Sequence, residues 1–132
     1  MRKRSYTIDG VVVHGNKIGR TIGFPTININ LDKNLRWPKF GIYSAQVIID
    51  EYIDCPYDAV ASIGIRPTII QSSVNVVLEA HIFRDIKEEL YGKNVSIKLL
   101  DFIRQEEKFN NLEELKLQIS NDCDYAQQLL HK

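Results

Sequence analysis

A closed antiparallel β-barrel or β-sandwich followed by one C-terminal helix is the fold class these 132 residues predict. Three observations lead there. Short stretches rich in β-branched and aromatic residues recur along most of the chain, each bounded by Gly, Pro, Asn or Asp. No segment of helical length with a 3.6-residue period separates them, which argues against βαβ units and a parallel sheet. Only the last twenty or so residues carry a helical apolar stripe.

The β segments come in order as "YTIDGVVVHG", "GIYSAQVIIDEY", "AVASIGI", "VNVVLEAHIF" and "NVSIKLLDFI". Between them lie the glycine-rich stretch 15–23, "WPKFG", "DCPYD", "RPTIIQSS" and "LYGK". The helix is expected over residues 110–131. Asn110 or Asn111 serves as N-cap, with Glu113 or Glu114 three residues on, and Leu112, Leu115, Ile119, Cys123, Ala126 and Leu130 form its stripe. Residues 1–5, with "MRKRS", are expected to be a solvated tail on a single domain spanning 1–132.

Composition narrows the function classes. Lys plus Arg and Asp plus Glu number 17 each, so no bulk charge favours nucleic acid. No apolar run follows the N-terminal charges as in a secretory leader, and none approaches the roughly 20 residues that span a bilayer. Cys55 and Cys123 have no metal-type spacing and are expected as unpaired thiols in a reducing, cytoplasmic setting.

Chemistry concentrates in three stretches. "HGNKIGRTIGFPTININ" places Gly15, Gly19 and Gly23 with Lys17 and Arg20. Such a loop can be a cluster of turns, or backbone amides and cations gathered round an anion. It is neither a Walker A loop nor a G-x-G-x-x-G turn. In the extended segment after Pro25, Thr26 and Asn28 share a face and could offer neutral oxygens to a hard cation, or simply cap a turn. In "VNVVLEAHIF", alternation puts Val77, Glu79 and His81 on one face, with Leu78, Ala80 and Ile82 on the other. Glu79 and His81 are a general base with its partner, or two surface residues. In "DFIRQEEKFNN", Arg104, Lys108 and Phe109 form a loop able to close on a flat ring, or a charged connection.

Taken in order, "HGNKIGRTIGFPTIN", "FGIYSAQV", "ASIGIRPT", "LEAHIF", "ELYGK", "IRQEEKF" and "LEELKLQISND" resemble the riboflavin kinase family from about residue 10 to about residue 126. The resemblance implies a six-stranded antiparallel Greek-key barrel with a C-terminal helix. It implies transfer of the ATP γ-phosphoryl group to the ribityl 5′-hydroxyl of riboflavin, giving FMN and ADP, with Mg²⁺ as the required ion. Carried over by position, Glu79 is the catalytic carboxylate, and Thr26 and Asn28 hold Mg²⁺ and phosphates. Gly15, Arg20, Ile82, Arg84 and Lys87 border the nucleotide; Arg104, Glu107 and Phe109 belong to the flap over the flavin. Ile27 stands where many bacterial members have a small residue. "HIFRDIKEELYG" lacks the Asp-Phe pair common after the His and is spaced like the eukaryotic form. A monomer with no nucleic-acid or membrane partner is expected. The chain offers no room for the FMN adenylyltransferase domain of bifunctional members, so FAD synthesis is not expected. The competing reading is a flavin-binding regulatory module on the same barrel, without turnover.

Overall fold

The computed structural model describes residues 5–15, 18–67, 74–86 and 88–131. Six strands form one antiparallel sheet: β1 (Tyr6–Val11), β2 (Ile27–Leu31), β3 (Gly41–Ile49), β4 (Tyr57–Pro67), β5 (Val74–Ile82) and β6 (Asn94–Arg104). A single helical turn, α1 (Ile18–Thr21), precedes β2, and α2 (Leu112–Leu130) ends the chain. The spatial order is β1-β6-β3-β4-β5-β2. Within it, β3, β4 and β5 run as a meander and β6 returns beside β3, which is the Greek-key arrangement. The barrel closes where β1 runs out: Val13 bridges to Asn28, its N–H donating to the Asn28 carbonyl at 2.8 Å.

Period-2 alternation decides which side chains fill the barrel. Ile29, Tyr43, Ala45, Val47, Ala59, Ala61, Ile63, Leu78, Ala80, Ile97 and Leu99 point inward, with the rest of one continuous core. Alanines among the large aliphatics let facing layers interdigitate in so small a barrel. Fully burying each Ile or Leu contributes about 1.5–3 kcal/mol. The β3–β6 pairing slips between Ile42 and Ala45, and the Ser44 hydroxyl accepts from the Asp101 N–H at 3.0 Å within that irregular stretch.

The helix lies on the outside of β3, β4 and β6. There it makes a second, smaller apolar cluster: Val60, Cys123 and Ala126, with Phe24, Ile42, Phe83, Ile103 and Ile119. Asn111 is the N-cap, its Oδ1 accepting from the Glu114 N–H at 2.8 Å, while the Glu114 carboxylate accepts from the Asn110 N–H at 3.3 Å. The expected stripe starts later than the sequence suggests, since Leu112 is exposed, and it contains a buried acid, Asp122. Both cysteines are free, and burial pushes the Cys123 thiol up to about 12. Among the described residues no helix is long and apolar enough to cross a membrane.

Candidate active site

One row of side chains crosses five strands on the outer face of the barrel. Asn28 on β2 is paired with Glu79 on β5, Glu79 with Ser62 on β4, Ser62 with Ile42 on β3, and Ile42 with Arg104 on β6. Directly opposed residues of antiparallel strands share a face. Because Leu78, Ala80 and Ile82 are buried inward, Glu79 and its row neighbours face out, and Ile42, Ser62, Glu79 and Arg104 lie beneath α2 and the segment that leads into it. The row therefore puts a carboxamide, a carboxylate, a hydroxyl and a guanidinium in one line.

One cavity lies beside this row and another over it. The first, about 570 Å³, is lined by Arg20, Gly23, Thr26, Ile82, Arg84, Asp85 and Ile86, and by the stretch from Glu88 to Tyr91. The second, about 520 Å³, is lined by Ile42, Ser62, Glu79, Arg104, Glu107 and Phe109. Both volumes suit a small-molecule ligand. Phe24, Thr26 and His81 line both cavities and form the wall between them. Thus Arg20, Thr26, Ile82 and Arg84 gather on one side, and Glu79, Arg104, Glu107 and Phe109 on the other. Gly15 and Asn28 line neither cavity and lie at the barrel seam, Asn28 bridged to Val13 and packed against Gly15. Lys17 and Lys87 fall outside the described residues.

The glycine-rich loop works differently at each glycine. Gly23 takes the left-handed region, φ +92°, to turn the chain from α1 into Phe24. Gly19 lies in the α1 turn instead. Gly15 provides space: a Cβ there would stand 2.6 Å from both Oδ1 and Nδ2 of Asn28. Asn28 is 5% exposed, and among the described residues its Oδ1 has no hydrogen-bond partner. A buried, unpaired amide carbonyl is costly unless something arrives to use it. Neutral amide and hydroxyl oxygens are the donors a hard divalent cation takes when phosphates complete its shell. Asn28 and Thr26 fit that requirement. Among the described residues no cluster of three His, Cys, Asp or Glu offers a metal site.

Glu79 sits in a field of opposing influences. Burial pushes its carboxyl above the ordinary value of 4.5 and the nearby Glu106 carboxylate adds to this, while the Arg66 guanidinium, 3.5 Å away, pulls against them. Burial wins, so the group binds a proton more readily than a free glutamate would. His81, its neighbour on the same face, is not its hydrogen-bond partner. The His81 Nδ1 bonds the Pro25 carbonyl at 2.7 Å, and the ring packs edge-on against Phe24 and Phe83. It anchors the Pro25–Thr26 backbone to β5.

Arg104 is likewise committed within the protein. Its Nε and Nη2 donate to the buried Asp122 carboxylate at 2.9 and 2.7 Å, and the guanidinium lies 5.9 Å from the centre of the Phe109 ring. The stacking partner is thus Phe109, and the pair forms part of the cavity wall. Arg84 pairs with Asp54 at 2.7 Å on the exposed rim. Sequence reasoning passed over Arg66, Glu106 and Asp122. An acid inside an apolar helical stripe, and a glycine two residues before an arginine in mid-strand, were the available signals.

A protein-family model described as flavokinase (riboflavin kinase) matches residues 2–130. The chain belongs to the riboflavin kinase family. The bifunctional riboflavin kinase/FMN adenylyltransferases of Haemophilus influenzae and Escherichia coli K12 are each 40% identical to it. They match over 93% and 89% of this chain, and 38% and 36% of their own lengths. The chain spans little more than a third of these relatives. Among solved structures, riboflavin kinase from Trypanosoma brucei superposes with a TM-score of 0.72 at 26% identity, over 97% of this chain and 78% of that one. A Streptococcus pneumoniae protein described as a macrolide-efflux protein gives 0.77 at 35% identity, over 38% of its chain. The six-stranded barrel and C-terminal helix are therefore those of the family.

Proposed function

We propose that this chain is a riboflavin kinase that transfers the γ-phosphoryl group of ATP to the riboflavin 5′-hydroxyl, forming FMN and ADP. The observation that carries the reading is the shared wall. Two ligand-sized cavities meet at Thr26, with the unpaired Asn28 carbonyl at the seam and the proton-seeking Glu79 in the second cavity. A group-transfer enzyme with two substrates needs that plan, in which acceptor and donor are held apart except at the reacting atoms.

ATP is assigned to the first cavity, where Arg20 faces the phosphates and Ile82 the base, and riboflavin to the second, between Phe109 and the strand row. Thr26 and Asn28 would hold Mg²⁺, which when bound supplies neutralisation of the polyphosphate charge. Glu79 accepts the proton from the 5′-hydroxyl as its oxygen bonds to γ-phosphorus and the bond to the ADP oxygen breaks. Little covalent help is needed, since alignment and charge neutralisation carry most of the acceleration. We further place the chain as a monomer in the cytoplasm, a setting its free thiols support.

The cavity assignment is tested by steady-state kinetics. Arg20→Ala is expected to raise KM for ATP with little change for riboflavin, and Phe109→Ala to do the reverse. A crossed or uniform pattern contradicts the assignment.

A further inference from the structure

The segment between β6 and α2 is tied to the barrel by a contact that the chemistry above does not call for. Glu106 reaches back to β4, where the Arg66 fork grips its carboxylate through Nη2 at 2.8 Å and Nη1 at 3.4 Å. The other donors of the same guanidinium are also used: Nη1 bonds the Ile65 carbonyl at 3.0 Å, and Nε stands 3.5 Å from the Glu79 carboxylate. Beneath the Glu106 carboxylate lies Gly64. A Cβ at that position would overlap Glu106 Oε2 and stand 2.8 Å from Oε1. A glycine in mid-strand thus leaves a socket that the acid fills.

We propose that Gly64, Arg66 and Glu106 form a latch that seats the 105–109 segment over the second cavity and so positions Glu107 and Phe109 for the flavin. The inference rests on the assignment of that cavity to riboflavin. An isolated exposed ion pair would contribute little. Here the fork is fixed by three acceptors, and the carboxylate is located by shape as well as charge, so the segment has one preferred seat. Because the same guanidinium touches Glu79 and Glu106, seating the segment also sets where the catalytic carboxylate stands. Gly64, Arg66 and Glu106 are positioning residues in this scheme.

Wild type, Gly64→Ala, Glu106→Gln and the double variant decide it. In ligand-free protein, amide exchange across 105–109 is expected to quicken about fivefold in each single variant, as for loss of a contact holding a surface segment. The riboflavin Kd, read from quenching of flavin fluorescence, is expected to weaken about fivefold in each single variant and no further in the double, because both changes break one contact. The Kd for Mg·ATP stays within about twofold. Multiplied losses in the double variant, an equal loss of ATP affinity, or unaltered exchange would each overturn the latch. Should Gly64→Ala not fold, Arg66→Gln takes its place in the same cycle with the same outcomes. Exchange is measured without flavin. A wild-type protein that binds no riboflavin therefore removes the kinase reading, while exchange still decides the latch.

Discussion

Glu79 is held where its proton affinity exceeds that of a free carboxylate, and this sets its effect on stability against the catalytic role proposed for it. A folded-state pKa raised above the unfolded value contributes stability below the ordinary value of 4.5, and that contribution is lost as pH rises through the folded value. At neutral pH the ionised Glu79 is therefore a burden on the fold. Glu79→Gln is expected to melt higher than wild type at pH 7, with the difference shrinking as pH falls toward 4.5. The same variant should lower kcat about 10²–10⁴-fold while keeping both ligands, as for loss of a general base. Near-normal turnover removes Glu79 from the mechanism, and a lower melting point at pH 7 shows that the Arg66 pairing outweighs burial. Gly15→Ala tests the other side of the row. It must push the Asn28 carboxamide aside and is expected to raise KM for Mg·ATP selectively. A normal KM for ATP would show that the carboxamide position is immaterial. At this scale the shared outward face of Asn28 and Glu79 was legible in the sequence, because it follows from period-2 alternation. The partners were not. His81 bonding the Pro25 carbonyl and Arg66 bridging Glu79 and Glu106 are contacts 56, 13 and 40 residues apart in sequence, set only by how the strands pair.

Among the elements, α2 does more than cap the barrel. Its buried Asp122 holds the Arg104 fork at the end of β6, and Gln118 donates to the same carboxylate at 3.0 Å. Removing one partner of a buried pair strands the other charge. Asp122→Ala is thus expected to destabilise the fold by about 3 kcal/mol, read from the denaturation midpoint, and to weaken riboflavin binding by freeing Arg104 from its place against Phe109. A change below about 1 kcal/mol would put the pair among ordinary surface contacts. The helix itself was plain in the sequence: cap, acidic first turn and stripe agree with Leu112–Leu130 to within two residues at each end. Its buried acid was not, since an Asp between Ile119 and Cys123 looks like an interruption of the stripe until Arg104 is seen opposite. The glycine-rich loop was understood in kind and not in detail. A cluster of turns and a set of amides round an anion were both open for these glycines, whereas one turns the chain, one lies in a helical turn and one makes room for a carboxamide.

For the molecule as a whole, closure of the barrel is what makes the site. The bridge from Val13 to Asn28 brings the end of the first strand's segment against the second strand and leaves Gly15 packed on the Asn28 carboxamide. The β4–β5 meander then supplies Glu79 one strand away, and β6 delivers Arg104 from the other end of the row. Alternating segments without intervening helices left a barrel and a sandwich equally open, because strand period does not report which edges meet. Motif order over most of the chain selected the barrel, and the sheet order bears that out. Two cavities divided by one wall could not be read from the sequence, since that wall combines residues 24, 26 and 81 from two strands' approaches.

The measurement that bears most directly on the central claim is a chromatographic assay of the purified chain with riboflavin, Mg²⁺ and ATP, following FMN and ADP together. Equal amounts of FMN and ADP, abolished by EDTA, are the predicted result. Riboflavin bound but never phosphorylated, with ATP left intact, would contradict it and leave a flavin-binding module on a kinase barrel.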